Sequence, residues 1–85
     1  MKIQIEPHTL QRAVERGASE SEIIETIEQG ASILGKYGRL GKSRIFSFTN
    51  TRNGKYYDDK KIEAYYLIEQ EIIITITVYV FYGKF

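Results

Sequence analysis

The sequence predicts an α+β domain in which two short N-terminal helices pack on one face of a mainly antiparallel sheet of three to four strands. Three observations lead there. Residues 7–30 hold two amphipathic stretches, each closed by a glycine. Residues 43–82 hold three successive runs of β-branched and aromatic side chains. Neither helix is long enough to be stable alone, so both need a flat surface to dock on.

Taken in order, KIQIE (2–6) alternates Ile3 and Ile5 with polar neighbours and reads as a short strand. Pro7 suits the first position of a helix running to Arg16, where a missing N–H costs nothing. Leu10, Ala13 and Val14 fall at i, i+3 and i+4 and predict its buried stripe, and Gly17 ends it in a left-handed conformation. Ser19-Glu20-Ser21-Glu22 has the form of a capping box. The second helix, 20–29, should turn Ile23, Ile24 and Ile27 inward and Glu20, Glu25 and Glu28 outward before stopping at Gly30.

SRIFSFT (43–49), KIEAYYLIE (61–69) and IIITITVYVFY (72–82) are the strand signals. Gln70-Glu71 joins the last two in a tight hairpin without the glycine that primed turns prefer. In the final strand Ile72, Ile74, Ile76, Val78 and Val80 are expected to face the helices, leaving Ile73, Thr75, Thr77, Tyr79 and Phe81 on the open side. Two glycine-bearing basic segments, GKYGRLGK (35–42) and TNTRNGKYYDDKK (49–61), connect these elements, and Asn53-Gly54 marks a turn.

Eighty-five residues make a single domain, 1–85, able to bury only about 60 to 65% of its unfolded surface. Without cysteine there is no disulfide framework, zinc finger or thiol nucleophile. No run of 18 apolar residues exists, and MKIQIEPH does not read as a signal peptide, so the expectation is a cytoplasmic protein with no membrane partner. Net charge is +1, but it is segregated. Residues 1–30 carry three basic and six acidic side chains; residues 31–61 carry eight basic ones against Asp58 and Asp59. A phosphate-binding surface would produce that pattern, and so would a lysine-rich solvated hairpin.

The candidate chemistry begins at HTLQRAVERG (8–17), which holds the sole histidine. On a helix His8, Arg12 and Arg16 advance by about 40° per step and share one side. An imidazole can transfer a proton near neutral pH, and two guanidiniums can hold a phosphate and stabilise developing charge. The plainer reading pairs Arg12 and Arg16 with Glu15, Glu20 or the second helix and leaves His8 as an exposed residue of the N-terminal turn. Gly41-Lys42-Ser43 ends like a phosphate-binding loop, but a strand follows it and the full motif is missing, which argues against nucleoside triphosphates. Asp58-Asp59 sits among lysines and points to no metal, and no cofactor is implied. Tyr56, Tyr57, Tyr65, Tyr66, Tyr79 and Tyr82 interleave with cations, as on surfaces that stack RNA bases and also on ordinary strands.

His8-x-x-x-Arg12-x-x-Glu15-Arg16-Gly17, then Ser19 with Glu22-Ile23, Ile27 and Gly30, then the basic glycine-rich segment and IIITITVYVFYG, resemble a small bacterial family known as domain of unknown function 4258. The resemblance spans nearly the whole chain. By general layout that family is similar to the BrnT and RelE-type toxins of toxin–antitoxin systems. The resemblance implies two helices on an antiparallel sheet and metal-independent RNA cleavage, with an antitoxin protein as partner. It points to His8, Arg12 and Arg16 as catalytic and matches Tyr79 and Tyr82 in the closing strand. Charge and position add Arg39, Lys42 and Lys61 as RNA-binding residues. RNA-cutting relatives of this kind are more basic overall than this chain, so RNA binding is expected to be weak at physiological salt and to draw on a ribosome or another partner. The alternative is a non-enzymatic interaction or self-associating module, such as a homodimer, using Thr75, Thr77, Tyr79 and Phe81 of the last strand.

Overall fold

The computed structural model describes residues 1–85. Its elements are β1 (Lys2–Ile5), α1 (Pro7–Arg16), α2 (Glu20–Gln29), β2 (Ala31–Leu34), β3 (Leu40–Arg52), β4 (Lys55–Glu69) and β5 (Ile72–Gly83). The strands form one sheet in the order β1-β5-β4-β3-β2, parallel between β1 and β5 and antiparallel elsewhere. The protein is therefore α+β, with two N-terminal helices and a five-stranded mixed sheet rather than one of three to four strands.

The unexpected strand is β2, four residues that follow Gly30 directly and pair with β3 from Ala31↔Ser43 to Leu34↔Leu40. Its ASIL sequence is too short to display a period. β3 and β4 are also longer than their apolar cores, because the Asn53-Gly54 turn continues the ladder outward through polar residues as far as Arg52↔Lys55. Both turn residues have positive φ, 52° and 80°, as a two-residue primed turn requires.

α1 starts at Pro7 and closes at Gly17, whose φ of 102° lets the Ala18 N–H reach back to the Ala13 carbonyl at 2.9 Å. Its buried side departs from the expected stripe at one position. Ala13 is buried and Leu10 packs against the core, but Val14 is 57% exposed and Thr9 lies inside instead. The cause is the sheet edge. β1 pairs with β5 only over Ile72–Thr75, which leaves the carbonyls beyond that point without a strand neighbour. α1 lies along this edge, where the Thr9 hydroxyl donates to the Ile76 carbonyl at 2.7 Å and Arg16 Nη1 donates to the Val78 carbonyl at 2.7 Å. Satisfying buried backbone acceptors thus outweighs burying one valine.

α2 begins at the expected capping box, in which Ser19 Oγ accepts from the Glu22 N–H and Glu22 Oε1 accepts from the Ser19 N–H. Ile23 and Ile27 join Ala13, Ala18, Ile62, Ala64, Tyr66 and Val78 in a single core between the helices and the sheet.

β5 does not keep one face. Tyr65 pairs with Thr77 and Tyr66 with Thr75, so Ile76 is an extra, bulged residue. Before the bulge Ile73 and Thr75 face the helices; after it Val78 and Val80 do. The expected placement of the even-numbered residues on the helix side holds for Val78 and Val80 and fails for Ile72 and Ile74. Thr75, taken as an open-face residue, is fully buried, and its hydroxyl has no hydrogen-bond partner.

Candidate functional site

His8, Arg12 and Arg16 do share one side of α1, and β5 completes the surface in front of them. Together with Thr9, Ile76, Thr77, Val78 and Tyr79 they line a shallow depression of about 240 Å³. Arg16 is the fixed member. Its bond to the Val78 carbonyl anchors it, and its guanidinium carbon lies 5.5 Å from the centre of the Tyr79 ring. His8 and Arg12 are exposed, and none of the three ion pairs of the chain uses either of them. The pairing of these arginines with Glu15 or Glu20 is not formed.

A second depression, of about 290 Å³, adjoins the first and is lined by Leu34, Lys36, Tyr37, Arg39, Tyr65, Thr77 and Tyr79. Thr77 and Tyr79 belong to both. The helix strip and the basic turn between β2 and β3 thus meet across the last strand. Gly41 lies beneath the Tyr65 ring that lines the second depression. A Cβ there would stand 2.8 Å from Ile33 Cγ1 and 2.9 Å from the Tyr65 ring, so the missing side chain lets that ring lie across the backbone. Tyr65 and Tyr79 meet edge to face, with centroids 6.0 Å apart. The Tyr65 hydroxyl donates to Glu63 Oε1 at 2.9 Å, and burial together with the Glu63 carboxylate raises its pKa, which keeps the phenol protonated.

Of the other expected RNA-binding residues, Arg39 and Tyr79 line this double depression, whereas Lys42, Lys61 and Tyr82 do not. Lys61 lies further along the same face, 5.3 Å and 5.1 Å from the Phe81 and Phe85 rings and 3.7 Å from Glu63 Oε2. Lys42 sits opposite Ala64 in register, on the helix side, and its ammonium donates to Ser32 Oγ at 3.0 Å. Tyr82 supports α1 from below. Its hydroxyl donates to the Arg16 carbonyl at 2.6 Å, and its ring packs 5.1 Å from Phe48 and 5.0 Å from the Arg52 guanidinium. Burial raises the Tyr82 pKa against the opposing pull of Arg52.

Part of the basic segment 31–61 is engaged inside the molecule. Arg44 pairs with Glu25 at 2.8 Å, Arg52 donates to the Glu15 carbonyl at 2.8 Å, and Lys60 donates to the Gly17 carbonyl at 2.7 Å and to Glu22 Oε1 at 2.9 Å. Burial alone would raise the Glu22 carboxyl, but the Ser19 N–H, Lys60 and the Ser19 hydroxyl bring it below its ordinary 4.5. The charge segregation along the chain is therefore in part complementarity between the acidic helices and the strands beneath them, carried by Arg44–Glu25 and Lys60–Glu22. Lys36 and Arg39, in the turn, are what the segment contributes to the double depression.

Lys36 and Tyr37 escape a reading of the sequence one motif at a time, because a single exposed turn residue has no period to reveal it. The signal that could have found Tyr37 is its place before Gly38 in a turn, with φ of 56° and 74° for the pair. Comparisons of the chain with protein-family models, with curated proteins and with solved structures returned no match.

Proposed function

We propose that the protein is a small RNA-cleaving domain of the toxin type, with the layout of RelE and BrnT toxins, acting in the cytoplasm. The observation that carries this reading is the convergence of His8, Arg12 and Arg16 with Tyr79 and, across Thr77, with Lys36 and Arg39. Arg12 and Arg16 hold the non-bridging oxygens of the scissile phosphate and stabilise the charge that builds on them. His8 accepts the proton of the neighbouring ribose 2′-hydroxyl as that oxygen attacks phosphorus. The bond to the 5′-oxygen breaks, that oxygen takes a proton from water, and a 2′,3′-cyclic phosphate remains. An antitoxin protein that covers the double depression would silence the activity.

In the presence of a chelator the purified protein is expected to cleave single-stranded RNA, and His8→Ala to slow cleavage by about 100-fold or more. Intact RNA with the wild-type protein, both free and on translating ribosomes, would contradict the proposal. A second reading, self-association through the open sheet face, is favoured by the exposed Ile45, Tyr79 and Phe81. A concentration-independent monomer in sedimentation would remove it.

A further inference from the structure

The turn between β2 and β3 places a large aromatic side chain where a small one fits better. Tyr37 has a φ of 56° and is 90% exposed, so it stabilises no core. The next residue, Gly38, has a φ of 74°, and the Arg39 N–H bonds the Lys36 carbonyl at 3.1 Å, which makes Tyr37-Gly38 the centre of a primed turn. Asparagine or glycine is the residue such a position prefers; a bulky side chain there is strained. Strain at an exposed residue has no packing benefit to offset it, and at Tyr37, unlike Gln70 and Glu71, it coincides with a depression lined by two further tyrosines.

What surrounds Tyr37 identifies the ligand's chemistry. Tyr37 lines the same depression as Tyr65 and Tyr79, together with Leu34, Thr77 and the cations Lys36 and Arg39. At about 290 Å³ the space falls just below the range for small-molecule sites, about 300 to 1,000 Å³, and so suits no more than one flat ring system. Thr77 and Tyr79 connect it directly to Arg12 and Arg16. We infer that Tyr37, Tyr65 and Tyr79 form a stacking subsite for one unpaired nucleobase, whose adjoining phosphate lies on Arg12 and Arg16. This rests on the RNA reading above and deepens it: the substrate is single-stranded, because an unpaired base enters without the cost of breaking its pair and stack.

The test measures fluorescence anisotropy with a short labelled 2′-O-methyl oligoribonucleotide, which lacks the attacking hydroxyl, and with its abasic counterpart carrying the same phosphates. Wild-type protein is expected to bind the base-bearing strand at least about fivefold more tightly than the abasic one. Tyr37→Asn should remove that preference while its melting temperature stays equal to or above that of the wild type, since asparagine tolerates the left-handed turn. Those two changes run in opposite directions, which a purely structural tyrosine would not produce. Retention of the preference by both Tyr37→Asn and Tyr65→Ala would overturn the subsite. Equal binding of both strands by a wild-type protein that cleaves RNA would overturn the subsite alone. Binding of neither strand, with no cleavage, would overturn the RNA reading as well.

Discussion

Lys60 is the one charged side chain that the fold buries. Its ammonium ties the C-terminal end of α1, through the Gly17 carbonyl, to the N-terminal cap of α2, through Glu22. The capping box was legible in Ser19-x-x-Glu22, but Lys60 was not, because a basic residue 38 positions away gains its partner only through the tertiary fold. The pair sets a pH dependence. The Glu22 pKa is lowered in the folded state, so the unfolded chain binds its proton more readily, and stability rises with pH through that window. Urea unfolding should show the Glu22 contribution fully present above about pH 4.5 and lost as pH falls through the lowered folded value. Glu22→Gln should be less stable at neutral pH, with a flatter profile below it; an unchanged acid profile would count against the pairing.

At the scale of elements, both long hairpins close through two residues of positive φ, but only one has suitable residues. Asn53-Gly54 meets the requirement, whereas Gln70 and Glu71 adopt φ of 50° and 65° with full side chains. Replacing them with Asn-Gly should stabilise the protein by about 1 kcal/mol in chemical denaturation, because left-handed strain is relieved in both residues. A loss of stability would show that these side chains make contacts that outweigh the strain. The turn position was legible in the sequence, since the polar pair interrupts two apolar runs. The bulge at Ile76 was not. An alternating pattern read through that residue puts Ile72, Ile74 and Thr75 on the wrong faces, and only the pairing of Tyr65 and Tyr66 with β5 reveals the slip. Beyond the bulge the reading is correct, so Thr77 and Tyr79 were rightly assigned to the open face. The same bulge carries the β5 carbonyls against Thr9 and Arg16 of α1, which places the helix strip beside Tyr79.

Across the whole molecule, helix spacing showed that His8, Arg12 and Arg16 share a side, but not what stands opposite them. That required the sheet order, which sets β5 between α1 and the Lys36–Arg39 turn. Linear charge was the weaker guide: of the eight cations in residues 31–61 only Arg44 and Lys60 pair with carboxylates of the helices, and only Lys36 and Arg39 reach the double depression, where they join Arg12 and Arg16 of α1. Each phosphate contact with a single strand contributes about −0.7 to the slope of log affinity against log salt, so a slope near −3 is expected. A slope steeper than about −5 would mean that Lys42, Lys61 or other cations outside the depression engage the strand.

The most direct measurement is mass spectrometry of the fragment ends after digestion of single-stranded RNA in chelator. Attack by the 2′-hydroxyl requires 2′,3′-cyclic phosphate and 5′-hydroxyl ends, produced by the wild type and lost with His8→Ala. Fragments ending in 3′-hydroxyl and 5′-phosphate, or the same cyclic ends at an undiminished rate from His8→Ala, would contradict the assignment of proton transfer to His8.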